Sequence, residues 1–179
     1  MAEQTTTQIE KENIIKNLEV EKMVINCGAI DDKLEKSVKL LEKITGNRKI
    51  YQISSTRRIP AFGISPGKKS GCKVTIRNKE KIINLLKRFF AAVDNEISDK
   101  KIVENHVSFG VNEYIEVPGL EYDRDIGILG FEISVVFKKK GKRVKMKKIK
   151  QGKYPKRQAV SKQEIIEFLT KQIGVEVVE

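Results

Sequence analysis

The chain has 179 residues, of which 36 are Lys or Arg and 24 are Asp or Glu, giving a formal net charge of +12. A hydrophobic content of 39% suffices for one lean core, so we expect a single domain with short extensions at most. The sequence contains no apolar run of the roughly 20 residues that span a bilayer, and a single histidine argues against a histidine-based triad or a multi-histidine metal site.

The first part of the chain predicts a polar arm, a strand and an amphipathic helix. Residues 1–17 are polar and predict a mobile or weakly helical arm that precedes the folded domain. Residues 18–27 have the β-branched centre of a strand, and Asp31 and Asp32 then begin a helix. Gly46 follows this helix at the position expected of a C-terminal cap.

A long basic hairpin loop is predicted between two short strands at residues 50–53 and 72–77. This segment, residues 54–70, contains two prolines and two glycines among four basic residues and should form no regular element. Phe62 lies at its apex, and two interpretations stay open for it. Either its ring folds back into the core, or it packs on nucleotide bases or sugars.

The second half of the chain predicts another amphipathic helix, several extended segments and a capped final helix. Residues 79–93 have a broad apolar helical face, whereas residues 95–105 are polar and predict a loop. Three extended segments are predicted, at 107–111, 114–117 and 131–137. Ser161 and Glu164 have the spacing of a capping box at the start of the last helix.

The positive charge is concentrated in two stretches without any acidic residue. The basic strip, residues 138–157, holds twelve Lys or Arg residues, which equals the net charge of the whole chain. Residues 43–79 hold ten more, so the remainder of the chain is net negative. This segregation predicts a polyanionic partner, and nucleic acid fits better than a membrane because the strip lacks an amphipathic Leu or Trp face. A solvated, disordered charge run is the alternative interpretation of the strip.

Signals for catalysis or metal binding are weak. His106 is isolated in a predicted loop or strand edge, and Cys27 and Cys72, far apart in sequence, are interpreted as buried, reduced thiols. The carboxylates of residues 121–125 fit turn chemistry better than an acid–base pair. The glycines match neither the phosphate-binding loop nor the dinucleotide fingerprint. The sequence therefore predicts no enzyme, no metal and no cofactor.

Several motifs resemble those of one known family. Residues 41–47, LEKITGN, resemble its LEQLTGQ helix end, and residues 61–64, AFGI, resemble its xFGIR loop. Residues 73–77, KVTIR, resemble its KVTLR strand. The most specific run is 107–130, where FGVNE, PG, EYD and IGILG resemble FGIEEH…PGxEYDPxIGIxG. Over roughly residues 18–179 the chain resembles the universal large-subunit ribosomal protein five family, called large-subunit protein eleven in eukaryotes, in its archaeal or eukaryotic form.

This resemblance implies an α+β fold in one domain, an antiparallel β-sheet with helices packed on one side. It implies a structural protein of the large ribosomal subunit that binds 5S ribosomal RNA and helps anchor it in the central protuberance. The implied partners are 5S and large-subunit ribosomal RNA, transfer RNA in the peptidyl site, and neighbouring proteins of the central protuberance and small-subunit head. The implied location is the cytoplasmic ribosome, without a membrane partner. A free RNA-binding assembly or regulatory factor is the alternative, and an enzyme acting on RNA is disfavoured.

The resemblance also implies which residues contact RNA. The family's sheet-face positions match Asn26, Asn47, Phe62 and Thr75, and Arg77 follows in the same strand. The hairpin loop matches a family loop that reaches transfer RNA, here with Arg57, Arg58, Gly63, Ile64, Lys68 and Lys69. In the basic strip we expect RNA contacts from Lys138, Lys139, Lys140, Lys142, Arg143, Lys145, Lys147 and Lys148. The chain departs from the family in a hairpin one residue longer and in Arg124, where the family has proline.

Overall fold

Within the residues that the structure describes, 17–46 and 49–178, a six-stranded antiparallel sheet carries helices on one side. The structure is a computed structural model, and it confirms the α+β architecture expected from the sequence. The strands are β1 (Leu18–Gly28), β2 (Tyr51–Ser54), β3 (Lys69–Ile76), β4 (Glu96–Ser98), β5 (Ile102–Val103), β6 (His106–Val111), β7 (Phe131–Lys139) and β8 (Glu176–Val178). The helices are α1 (Asp32–Thr45), α2 (Lys79–Ala91), α3 (Arg143–Met146) and α4 (Lys162–Gln172).

The strand order of the large sheet is β2-β3-β1-β7-β6-β5, with β4 and β8 forming a separate parallel pair. Successive side chains of a strand point to opposite faces. In β1, Met23 and Ile25 are therefore buried on the covered face, whereas Val24 and Asn26 lie on the other face and are partly exposed. We call this second side the open face, because the helices of the described chain pack their buried side chains with the covered face.

Aromatic pairs stabilise the packing of two helices, α2 and α4, on the covered face. Phe90 of α2 stacks on Phe109 of β6 with ring centroids 4.4 Å apart, and Phe168 of α4 meets Phe137 of β7 edge-on at 5.3 Å. Such pairs contribute about 0.5–1.5 kcal/mol beyond the area they bury. The apolar periodicity of the two helices thus fixes the side of the sheet on which they lie.

Helix ends follow the capping chemistry expected from the sequence. Gly46 adopts a left-handed conformation with φ 70°, and its N–H donates to the Glu42 carbonyl. Ser161 and Glu164 form the predicted capping box at the start of α4, each side chain accepting from the other residue's backbone N–H. Asn78, which the sequence did not single out, caps α2 by accepting from two backbone N–H groups.

Two predictions for the middle of the chain are wrong. Residues 95–105, predicted as a loop, contain β4 and β5, and residues 114–117, predicted as extended, begin with the 3-10 turn Tyr114–Glu116. The short strands exist because β4 pairs with β8 and β5 pairs with β6. The turn forms because the buried Tyr114 is anchored, with its hydroxyl accepting from the Asp123 N–H at 2.8 Å.

Part of the predicted organisation cannot be compared with the structure. The predicted arm, residues 1–17, lies outside the described residues except for residue 17, and so does the predicted RNA contact Asn47. In the described ranges, no helix is long and apolar enough to cross a membrane.

Candidate nucleic-acid interface

Two rows of side chains cross the open face. Residues directly opposite in antiparallel strands have Cβ atoms about 4.5–5.5 Å apart, so each row is a continuous strip of surface. Read from the β2 edge inwards, the rows are Tyr51, Lys73, Asn26, Glu132 and Gly110, and then Thr75, Val24, Ser134 and Ser108. The expected contacts Asn26 and Thr75 therefore lie on adjacent strands of one face, and the exposed Arg77 directly follows β3.

The strands β1 and β3 approach each other closely beside these rows. A Cβ atom at Gly71 would lie 2.9 Å from the backbone oxygen of Cys27, so a side chain there would push the two strands apart. Cys27 and Cys72, far apart in sequence, face each other across the same strand pair, and both are free and buried. A hydrogen bond with Cys72 and burial raise the pKa of the Cys27 thiol, which keeps it protonated and unreactive.

Hydrogen bonds shape the hairpin loop, residues 54–70. The N–H of Ser55 donates to the Lys68 carbonyl at 2.9 Å and closes its base. Nearer the tip, Ile59 and Ile64 form a bridge around the 3-10 turn Pro60–Phe62. The predicted hairpin is confirmed, but the expectation that it holds no regular element is wrong at its tip.

Phe62 is 69% exposed, which excludes the interpretation that its ring plugs the core. It lies in the hairpin loop and not in the strand rows. Its ring lines a cavity of about 520 Å³ between the loop and the start of α1, together with Gly28, Ala29, Ile30, Lys33, Ile64 and Ser70. An ion pair of 2.9 Å between Lys68 and Asp31 joins the same two segments.

The cations of the hairpin loop differ in their availability. Arg57, Arg58 and Lys69 are exposed, whereas Lys68 is half-buried and held by Asp31. Gly63 has φ 63°, a left-handed conformation that L side chains rarely adopt, and it ends the turn at the tip. The tip therefore combines an exposed aromatic ring with neighbouring exposed guanidinium groups.

Most of the basic strip is exposed, and α3 gives it a short regular segment. Its exposed cations lie on both sides of α3 and within it. The expected RNA contacts that are exposed are Lys140, Arg143, Lys145, Lys147 and Lys148, and Lys138 is half-buried on the open-face side of β7. A purely disordered charge run does not describe this segment.

Two lysines of the strip that are expected to contact RNA form ion pairs within the domain. Lys139, whose side chain is 10% exposed, donates from Nζ to Glu164 Oε1 at 2.7 Å. Lys142 Nζ donates to Glu21 Oε2 at 2.6 Å, and both side chains are largely shielded. The sequence already indicates that Lys139 is buried, because the alternation that buries Phe137 continues two residues further and directs Lys139 to the covered face.

The Lys139–Glu164 pair also sets the protonation of the carboxylate. Burial alone would raise the pKa of Glu164, but the hydrogen bond and charge of Lys139 and the Ser161 cap hold that pKa below its ordinary value. The carboxylate thus stays ionised, and it joins the end of β7 to the start of α4. The ion pairs of Lys139 and Lys142 hold the strip against the domain.

Sequence reasoning did not single out Tyr51 and Lys73, which complete the row that contains Asn26. Pairing the two strands of the predicted hairpin in register would have found them. The interface offers amide, hydroxyl, guanidinium, ammonium and aromatic groups, which suit hydrogen bonding, phosphate contact and stacking. In the described part of the chain, no group of three or more His, Cys, Asp or Glu residues is placed to hold a metal ion.

Comparison with known proteins covers nearly the whole chain. A model of the C-terminus of the ribosomal L5 family matches residues 69–174. The large ribosomal subunit protein uL5 of Sulfurisphaera tokodaii is 36% identical over 171 residues, 93% of this chain and 96% of that protein. The uL5 protein of Pyrobaculum aerophilum is 37% identical over 161 residues, 88% and 89% of the two chains. That of Nanoarchaeum equitans is 31% identical over 169 residues, 93% and 99%.

Proposed function

The chain belongs to the ribosomal L5 family, and on that premise we propose that it holds 5S ribosomal RNA in the large subunit through its open face and basic strip. As a member of this family it is a structural, non-enzymatic ribosomal protein, with ribosomal RNA and ribosomal proteins as its partners. In our proposal the site is the central protuberance, where 5S RNA is anchored.

The observation that supports this proposal most strongly is the position of Asn26 and Thr75 in adjacent rows of the open face. An amide and a hydroxyl both donate and accept hydrogen bonds, so they suit base edges and ribose hydroxyls. Arg77, exposed just beyond β3, adds a guanidinium group suited to a phosphate. Asn47 belongs to the same proposed contact set.

The basic strip supplies affinity without sequence information. Lysine is a compact point charge that contacts phosphates, and each phosphate contact releases counterions from the nucleic acid. With Lys139 and Lys142 assigned to the protein, the proposed phosphate contacts in the strip are Lys138, Lys140, Arg143, Lys145, Lys147 and Lys148. We place this region towards neighbouring ribosomal proteins and the small-subunit head.

The hairpin loop is proposed to reach transfer RNA in the peptidyl site. Its exposed Arg57, Arg58 and Lys69 suit phosphates, and the exposed ring of Phe62 suits a base or a sugar. Gly63 and Ile64 shape the tip beside that ring, and Lys68 supports the loop through Asp31. These roles are compatible with 5S RNA binding on the sheet because the loop extends from the β2–β3 edge.

A gel-shift titration of the purified protein with 5S RNA and an unrelated hairpin RNA tests the proposal. We expect tighter binding of 5S RNA, and we expect Asn26→Ala to weaken 5S binding about tenfold, since losing a hydrogen bond to a buried polar partner costs about 1–3 kcal/mol. Asn84→Ala, on the exposed side of α2, is the matched control and should change nothing. Equal affinity of the wild type for both RNAs would contradict the proposal.

Sedimentation separates the ribosomal role from that of a free RNA-binding assembly or regulatory factor. A ribosomal constituent co-sediments with large subunits in nearly one-to-one amount. A free factor of the same affinity would be found mostly outside mature subunits. Quantitative mass spectrometry of gradient fractions from the source cells decides between these outcomes.

A further inference from the structure

Tyr51 presents an aromatic ring at the edge of the open face. It is 64% exposed and lies on β2, the outermost strand of the sheet on this side. Register places it directly opposite Lys73, and Lys73 is directly opposite Asn26. The ring thus begins the row that contains the proposed RNA contact.

Lys73 holds the ring in place. Its Nζ lies over the Tyr51 ring, 5.3 Å from the ring centroid, a cation–π arrangement. The ammonium occupies one side of the ring, and most of the remaining ring surface reaches solvent. The exposed ring adds little to the core, yet it is oriented before any ligand arrives.

We propose that Tyr51 stacks on one unpaired base of the bound RNA, with Lys73 beside the phosphate of the same nucleotide. The inference rests on the proposed binding of 5S RNA to the open face and adds a contact to it. Sheets that read single-stranded RNA use exposed aromatic side chains in this way, because every base has a π-face. A base inside a duplex offers no free face, so the ligand is a nucleotide of a loop, bulge or end.

The rest of the row orients that nucleotide. Two strand spacings separate Tyr51 from Asn26, about 10 Å, which lets one nucleotide lie across both side chains. Glu132 follows Asn26 in the row, and its carboxylate repels phosphate. The sugar–phosphate backbone is therefore confined to the Lys73 side, and the Asn26 amide is left to the base or ribose.

Replacing the ring tests the stacking contact directly. We expect Tyr51→Leu to weaken binding of 5S RNA about tenfold, within the range measured for removal of one stacked base. Tyr51→Phe keeps the ring and should stay within about twofold of the wild type. Tyr122→Leu removes a comparably exposed ring from the loop between β6 and β7 and should leave affinity unchanged.

Cross-linking supplies a second measurement. Irradiating the complex with 5S RNA that contains 5-iodouridine should give a nucleotide adduct on Tyr51, found by mass spectrometry. Lys73→Met combined with Tyr51→Leu should weaken binding by less than the product of the two single effects, since both side chains act on one nucleotide. If circular dichroism shows that Tyr51→Leu is not folded, Tyr51→Thr, with its high strand propensity, takes its place.

The outcomes separate this inference from the function on which it rests. Wild-type affinity in Tyr51→Leu, with Asn26→Ala still weakened, would overturn the stacking contact and leave 5S binding intact. A wild-type protein that binds 5S RNA no better than the unrelated hairpin RNA would remove the proposed function and this inference together.

Discussion

The open face and the basic strip offer RNA two very different surfaces. The strip concentrates long, flexible lysine side chains on a backbone whose regular structure is limited to the end of β7, the short helix α3 and the start of a 3-10 turn. The open face carries charges of both signs, such as Lys73 and Glu132, and strand register fixes short side chains such as Asn26 and Thr75 at defined spacings. Charge density without fixed geometry gives affinity for any phosphate backbone, whereas fixed geometry can distinguish one RNA from another.

The lysines of the strip also fall into two groups, one fixed by ion pairs and one exposed to solvent. Lys139 and Lys142 are fixed by Glu164 and Glu21, while most of the neighbouring basic residues are exposed to solvent. The fixed lysines stabilise the fold and position the exposed ones. Lysines that are adjacent in sequence therefore serve different purposes, which mutations can separate.

The largest expected effect comes from the exposed lysines of the strip. Changing Lys145, Lys147, Lys148 and Lys150 to Gln should weaken binding of both 5S RNA and an unrelated hairpin RNA, on the order of 100-fold at low salt. The log–log salt slope should become shallower by about one unit for each phosphate that is no longer neutralised. Titrations at several salt concentrations measure both quantities.

The matched control removes the same charge from the helical side of the domain. It changes Lys36, Lys81, Lys87 and Lys100, all exposed, to Gln. This variant should bind both RNAs much more tightly than the strip variant does. A loss confined to 5S RNA in the strip variant would show that the strip, and not the open face alone, carries specificity.

A smaller effect, on stability, is expected at Lys139. Lys139→Met removes a charged hydrogen bond and should lower the free energy of unfolding by about 2 kcal/mol. Lys140→Met, one residue further and exposed, should change it by less than about 0.5 kcal/mol. Urea unfolding measures both values. RNA affinity per folded molecule should stay within about twofold of the wild type in Lys139→Met, whereas it should fall in Lys140→Met, which loses a proposed phosphate contact.

The destabilisation at Lys139 should depend on pH. Because the folded-state pKa of Glu164 is held below its unfolded value, the stabilisation is present above the unfolded pKa and is lost as the pH falls through the folded pKa. The stability difference between wild type and Lys139→Met should therefore shrink below about pH 4. A difference that stays constant from about pH 7 to about pH 3 would show that the ion pair is not its source.

The smallest effect is expected at the hairpin loop. Changing Arg57 and Arg58 to Gln should reduce retention of peptidyl-site transfer RNA by ribosomes a few-fold, because two exposed guanidinium groups no longer meet phosphates. Binding of 5S RNA to the isolated protein should be unchanged. Filter-binding assays on reconstituted ribosomes measure the first quantity, and reduced 5S binding would place the loop in the 5S interface instead.

The long elements could be predicted from the sequence, because each has its own periodicity and its own cap. The alternation in β7 and the apolar face of α2 are visible without any knowledge of tertiary structure. Strands β4 and β8 could not be predicted, since three residues form a strand only when another segment pairs with them. The turn at Tyr114 could not be predicted either, because it depends on the hydrogen bond that the Tyr114 hydroxyl accepts from the Asp123 N–H.

The candidate site shows the same limit. Asn26, Thr75 and Arg77 came from resemblance to a family, and their common face follows from register. Tyr51 and Lys73 depend on the pairing of β2 with β3, which composition does not reveal. The uniform run of basic residues does not reveal that Lys139 is buried and Lys140 is exposed, although the alternation of β7 predicts this difference.

The facing thiols of Cys27 and Cys72 provide a way to measure local opening of the sheet. Both are buried on the covered face, so a thiol reagent reaches them only when this part of the sheet and the helix α1 packed on it open locally. The rate of their alkylation therefore measures how often the sheet opens at this strand pair. The rows that contain Asn26 and Thr75 lie on the opposite side of the same two strands. Bound RNA should therefore bridge β1 and β3 and slow the alkylation of both thiols.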